Sequence, residues 1–117
     1  GFGIIETAKA AEKLKKDGIS VEIIDVRSLY PLDTKTIIKS VKKTKRLLVV
    51  DPSWKSFGAS SEIIASVTEN IGKKLKSNPL RVSYPDSHTP MGEDLENQYY
   101  FSSSEIVSKV KKLIKKK

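Results

Sequence analysis

The sequence predicts a three-layer α/β/α domain built on an open, mainly parallel sheet. Three observations lead there. The short runs VEIIDV, RLLVVD and LRVSYP are rich in β-branched residues and nearly unbroken in their apolar character, the pattern of strands buried on both faces. Segments with apolar residues at helical spacing stand between them. The connections are long enough to be crossovers between parallel strands.

Each element has its own signal. IIETAKAAEKLKKDG places Ile4, Ile5, Ala8, Ala11 and Leu14 on one helical face, with Gly18 as terminator. VEIIDV (21–26) follows as a strand, and SLYPLD breaks the chain. Asp33 is a candidate N-cap for a second helix, whose apolar stripe is Ile37, Ile38 and Val41. RLLVVD is the next strand. A third helix carries Ile63, Ile64, Val67, Ile71 and Leu75, and LRVSYP, bounded by Pro79 and Pro85, is a further strand. A long polar loop spans residues 85 to about 101. Ser102 and Glu105 have the spacing of a capping box, opening a last helix with Ile106, Val110, Leu113 and Ile114 as its buried stripe.

The glycine-rich GFG at residues 1–3 directly precedes the first helix, where such folds carry a tight turn after a first strand. No residues are present to make that strand. The expectation is therefore a single domain, residues 1–117, whose first strand is missing and which is a fragment of a longer chain.

Composition narrows the function classes. With 117 residues the chain can bury a core without metal or disulfide support, and with no cysteine it has neither thiolate ligands nor a thiol nucleophile. No apolar stretch has the length of a membrane span, so a cytoplasmic protein is expected. The net charge of +8 invites a nucleic-acid hypothesis. Six lysines fall in the last nine residues, however, and the others are scattered over predicted helices, as in EKLKKDG, KSVKKTK and IGKKLKSN, without interleaved aromatic residues. That is the pattern of solvated helix faces, not of a base-stacking platform.

Candidate site residues lie mainly at strand ends. Gly3 belongs to a partial phosphate-binding turn in which Glu6 replaces the third glycine. Arg27 could clamp a carboxylate or phosphate, or pair with Asp25 and Asp51 at neighbouring strand ends. Trp54 and Phe57 are large apolar side chains in a loop, the character of interface anchors. His88, in PDSHTP, is the one histidine; no nucleophile elbow accompanies it, and local hydrogen bonding is its simpler role. MGEDLEN does not have the spacing of a calcium loop. Gly3, Arg27, Trp54, Phe57 and His88 are thus possible anion or interface residues, with no catalytic, cofactor-binding or metal-ligating residue expected.

The stretch IDVRSLYPLD, with Asp25, Arg27, Leu29, Pro31, Leu32 and Asp33 in the spacing D-x-R-x-L-x-P-L-D, then FGASSEI, PDSHTP and LENQYY, resembles the C-terminal domain of the transketolase family. Within it the chain is most similar to the beta subunit of thiamine-diphosphate-dependent 2-oxoacid dehydrogenases of the pyruvate and branched-chain type. The resemblance implies an assembly domain. Its parent enzyme, with thiamine diphosphate and magnesium bound elsewhere, would oxidatively decarboxylate a 2-oxoacid and acylate a lipoyl group, in contact with its own other domains and subunits and with a dihydrolipoyl acyltransferase core. That core's small binding domain is usually basic, so the lysine-rich tail is a poor dock for it. Other readings are a 1-deoxyxylulose-5-phosphate synthase, a split transketolase, or a stand-alone anion-binding regulatory module.

Overall fold

The computed structural model describes residues 2–26, 32–54, 59–84 and 102–115. In chain order these form α1 (Phe2–Lys16), α2 (Thr34–Thr44), β1 (Leu48–Trp54), α3 (Ala59–Ile71), a 3-10 turn (Gly72–Lys74), β2 (Leu80–Tyr84) and α4 (Ser103–Lys115).

The two strands pair in parallel, Leu48 opposite Leu80 and Val50 opposite Val82. Their side chains alternate between two apolar clusters, as a pleated strand requires. Val49 packs with Ile37 and Val41 of α2 and Ile63, Val67 and Ile71 of α3. Leu48 and Val50 pack on the opposite side with Ala10 of α1, Val82, and Ile106 of α4. Helices α2 and α3 therefore cover one face of the sheet, and α1 and α4 the other. This is the three-layer α/β/α order the sequence predicts.

α2 forms as read from its sequence. Asp33 Oδ1 accepts the Thr36 backbone N–H at 3.2 Å and Oδ2 accepts the Thr36 hydroxyl at 2.7 Å, satisfying a first-turn donor. α1 differs in its buried face. Leu14 is 1% exposed as expected, but Ile5 is 56% exposed, Ala8 is exposed, and Ala10 takes the core position. The contact with α4 sets this face, turning the helix so that a small residue lies at the close approach.

The segment 21–26 is a correction. The sequence reads VEIIDV as a strand, yet these residues join no sheet in the structure. Ile24 and Val26 still pack against the α2/α3 cluster. What they lack is a neighbour: strand assignment requires a hydrogen-bonded ladder, and a cavity separates this segment from β1.

The turns that close α1 and α2 use left-handed backbone. Gly18, at φ +79°, closes α1, with its N–H on the Lys15 carbonyl (3.0 Å) and the Ile19 N–H on that of Leu14 (2.9 Å). Lys45, at φ +62°, closes α2 with its N–H on the Val41 carbonyl at 2.6 Å. A Cβ on Gly18 would meet nothing within 4 Å, so the backbone alone penalises a side chain there. Gly18→Ala is expected to destabilise by about 1 kcal/mol and Lys45→Gly to stabilise by about 0.5 to 1 kcal/mol. Thermal melts of the two variants check the pair of signs. A neutral result at both positions would show that neither turn is left-handed in solution.

Candidate functional site

β1 ends irregularly. Between Val50 and Trp54 it advances four residues while β2 advances two, from Val82 to Tyr84. Pro52 lies in this bulge, where a residue without a backbone donor disturbs the ladder least. Before it, Asp51 is buried, and its Oδ2 accepts the backbone N–H of Ser60 at 2.9 Å in the first turn of α3. Ser60 is itself 0% exposed. A buried carboxylate at a helix N-terminus satisfies an orphan donor and opposes the positive end of the helix dipole. The strand end is thereby tied to the helix that follows it.

A second carboxylate does the same work across a much longer stretch of chain. Glu6 Oε2 accepts the Ser103 N–H at 2.8 Å at the start of α4, and Lys13 Nζ donates to the Ser103 hydroxyl at 2.8 Å. Lys9 pairs with Glu6 Oε1 at 3.3 Å. The local cap read from the sequence is also present in part, since the Glu105 N–H reaches Ser102 Oγ at 3.4 Å.

Glu22, in the segment before α2, accepts the Ser40 hydroxyl and the Lys43 ammonium, the latter at 3.2 Å. The Ser40 hydrogen bond first, and Lys43 second, hold its carboxyl below the usual value of 4.5. Asp33 is held below 3.8, chiefly by the Thr36 hydroxyl and then by the Thr36 N–H. A carboxyl with a lowered folded pKa adds stability that is present above its unfolded pKa and lost as pH falls through the folded one. Both contributions therefore fade on the acid side, that of Glu22 from about 4.5 downward and that of Asp33 from about 3.8 downward. Ser40→Ala is expected to raise the Glu22 titration midpoint in an NMR pH series. An unmoved midpoint would mean that the hydroxyl does not hold the carboxylate.

The candidates named from the sequence do not converge on one described site. Gly3 lies in the first turn of α1, not in a turn ahead of it. Trp54 closes β1 opposite Tyr84. Arg27, Phe57 and His88, and the side chain of Trp54, lie outside the described residues. Glu6, Lys13 and Ser103 escaped the sequence reading because no short-range pattern joins positions this far apart.

Among the described residues no group of three His, Cys, Asp or Glu stands close enough to hold a metal ion. Glu6, Glu22, Asp33 and Asp51, among them, accept from backbone N–H, hydroxyl and ammonium groups. Such an arrangement fixes helix starts and neighbouring segments to one another.

A cavity of about 680 Å³ lies between segment 19–26 and β1. Asp25 and Asp51 both border it. No helix among the described residues is long and apolar enough to cross a membrane.

The comparison with known families agrees with this architecture. The profile described as "Transketolase, C-terminal domain" matches residues 1–106. The chain belongs to the transketolase C-terminal domain family. Among curated relatives, it is 42% identical over 108 residues to the mitochondrial pyruvate dehydrogenase E1 component subunit beta of Saccharomyces cerevisiae, covering 91% of this chain and 30% of the relative. It is 40% identical over 93 residues to the pyruvate dehydrogenase E1 component subunit beta of Bacillus subtilis, covering 80% and 29%. The corresponding subunit of Acholeplasma laidlawii is 36% identical over 115 residues, covering 98% and 35%. The chain thus spans about a third of the length of these relatives. A solved "Split gene transketolase, inactive beta4 tetramer" superposes with a TM-score of 0.75 at 24% identity, covering 100% of this chain and 37% of that one, a likeness of fold. This transketolase C-terminal domain therefore resembles the corresponding region of pyruvate dehydrogenase beta subunits, and its α/β architecture is that of the family.

Proposed function

We propose that these residues form the assembly domain at the C-terminal end of the beta subunit of a thiamine-diphosphate-dependent 2-oxoacid dehydrogenase, as a single domain of a longer chain. The observation that carries the proposal is the 42% identity to the yeast beta subunit, sustained over 91% of this chain. The parent oxidatively decarboxylates a 2-oxoacid and acylates a lipoyl group in the cytoplasm. Thiamine diphosphate and magnesium bind to other parts of it. Partners are the parent's remaining domains and subunits and the dihydrolipoyl acyltransferase core.

In this proposal the loops at the strand ends are docking surfaces. Trp54 and Phe57 act as apolar anchors, with Gly3, Arg27 and His88 as further interface or anion contacts. The capping roles of Asp51 and Glu6 support this, because they make the strand ends and helix starts rigid enough to present a surface.

The test compares two proteins. The full-length gene product, combined with its partner subunits, is expected to turn over pyruvate or a branched-chain 2-oxoacid with thiamine diphosphate, magnesium and an artificial electron acceptor. The 117-residue chain alone is expected to show no turnover and no saturable, magnesium-dependent cofactor binding. An inactive parent sinks the enzyme assignment. Micromolar cofactor binding by the short chain sinks the assignment to an assembly domain.

A further inference from the structure

We propose that the pole of the domain at which all four helices finish is a docking surface for an acidic polypeptide segment of another protein. The chain path brings those helix ends together. α2 leads through residues 45–47 into β1, and the Lys45 carbonyl accepts the Lys76 N–H at 2.9 Å, joining the exit of α2 to the residues that follow α3. The Leu80 N–H on the Leu47 carbonyl, at 3.1 Å, sets the starts of β1 and β2 side by side there. Glu22 meets Ser40 and Lys43 near the end of α2 while Ile24 and Val26 pack against the α2/α3 cluster, so segment 19–26 also begins at this pole, directly after α1. α4 runs parallel to α1, because Glu6 meets Ser103 at one end and Asp17 meets Lys111 at the other, at 2.8 and 2.9 Å.

Each of these ends is basic. Lys16 closes α1, Lys42 and Lys45 close α2, Lys74 the 3-10 turn after α3, and Lys115 closes α4, all exposed. The helix starts at the opposite pole have acids instead, Asp33, Glu62 and Glu105. A helix C-terminus is equivalent to about half a negative charge, so a single lysine more than balances it. Here two or more stand in the last turn of α1, α2 and α4 and in the 3-10 turn. The surplus is not neutralised inside the domain. Among the described residues the ion pairs at this pole are Lys43 with Glu22 and Lys111 with Asp17, and Glu12 and Glu69 stand one turn back. Lys115 faces Lys111 and Lys112 at i,i+4 and i,i+3 spacing, a like-charge arrangement that disfavours the helix. Lys45 keeps its ammonium group at this pole on a backbone of φ +62°, which glycine adopts without strain. Negative charge brought from outside relieves the crowding.

The chemistry of the surface selects a polypeptide over other polyanions. Nucleic acid is gripped by arginine forks and stacking aromatic rings. At this pole the cations are lysines on separate helix ends, no aromatic residue stands in the last turns, and Nε of Arg46, which follows α2, is buried. A bilayer surface calls for apolar side chains to insert, whereas the one large apolar residue exposed on the described helix ends is Ile114, at 38%. An Asp- and Glu-rich segment spaces its carboxylates along a flexible backbone, which matches mobile ammonium groups spread over several helix ends, and Ile114 gives it one apolar contact. The surface lies at the opposite end of the strands from Asp51 and Trp54, so it is separate from the strand-end loops and does not depend on the enzyme assignment.

The test uses the full-length gene product and a defined probe, a fluorescein-labelled polyglutamate peptide of about 20 residues, titrated by anisotropy at about 0.1 M salt. Saturable binding is expected. Lys74→Gln combined with Lys115→Gln removes one charge from the pole on each side of the sheet and is expected to weaken binding at least about five-fold. Lys9→Gln combined with Lys35→Gln makes the same change in net charge away from the pole, and it is expected to weaken binding less than about two-fold. Equal weakening by the two pairs overturns the proposal, because net charge alone would then attract the peptide. Absence of saturable binding overturns it too. So does tighter binding of a thymidine oligonucleotide of the same length, or of phosphatidylcholine vesicles with about 30% phosphatidylserine, than of the peptide. Since the readout is binding and not turnover, an inactive parent, which sinks the enzyme assignment, leaves this comparison intact.

Discussion

Leu14→Ala is expected to lower the folding stability of the chain by about 3 kcal/mol, one of the largest effects of any single truncation in it. Leu14 is 1% exposed on the inner face of α1, where that helix meets the sheet and α4. Removing its branched end subtracts the transfer free energy of the lost atoms and leaves a hole beside a cavity that already exists. The helices around it are held to a two-stranded sheet, which leaves little alternative packing to collapse into the gap. Since single domains are stable by only about 5 to 15 kcal/mol, the loss is visible as a fall of about 10 °C or more in the melting midpoint by circular dichroism. A drop under about 1 kcal/mol would show that α1 does not bury this face in solution.

Asp51→Ala is expected to cost about 2 kcal/mol, which is large for a polar side chain. The substitution leaves the buried Ser60 N–H without its acceptor, at a position where water does not reach. Asp51→Asn keeps an oxygen able to accept that N–H and is expected to lose less than half as much, because it sacrifices the charge and retains the hydrogen bond. Urea unfolding of the two variants gives the comparison. If alanine and asparagine are equally costly, the carboxylate's charge and not its role as acceptor holds the strand end to α3.

How far these features could be read in the sequence depends on the distance over which each is decided. α2 was fully legible: Asp33, Ile37 and Val41 lie within one short window, and cap and stripe reinforce each other. α3 and α4 follow in part for the same reason, with Ile63, Val67, Ile106 and Leu113 in the core, but Ile114 is exposed and Leu75 lies beyond the 3-10 turn that ends α3. The face of α1 is ambiguous in the sequence because a stripe through Ile5 and Ala8 is as regular as the one through Ala10 and Leu14, and only the docking with α4 chooses between them. VEIIDV has every local property of a strand and is not one here, since a strand exists only in relation to a neighbour. Asp51 reads as a strand end, but its partner Ser60 lies beyond the bulge at Pro52, which no propensity reveals. The Glu6 cap on Ser103 joins the two ends of the chain and was invisible until they were brought together.

Among the described residues β1 pairs only with β2, and its other edge bears on how copies of this chain behave toward one another. An edge that presents unmatched donors and acceptors is a template for the growth of intermolecular sheets. Against this stands the charge of +8, with lysines on the solvent faces of all the helices that surround the edge except α3. Mutual repulsion keeps copies apart over distances of about 10 Å in dilute salt, and it weakens as counter-ions gather. The lysine-rich surface thus acts as a colloidal guard between copies, and its protection is lost in concentrated salt.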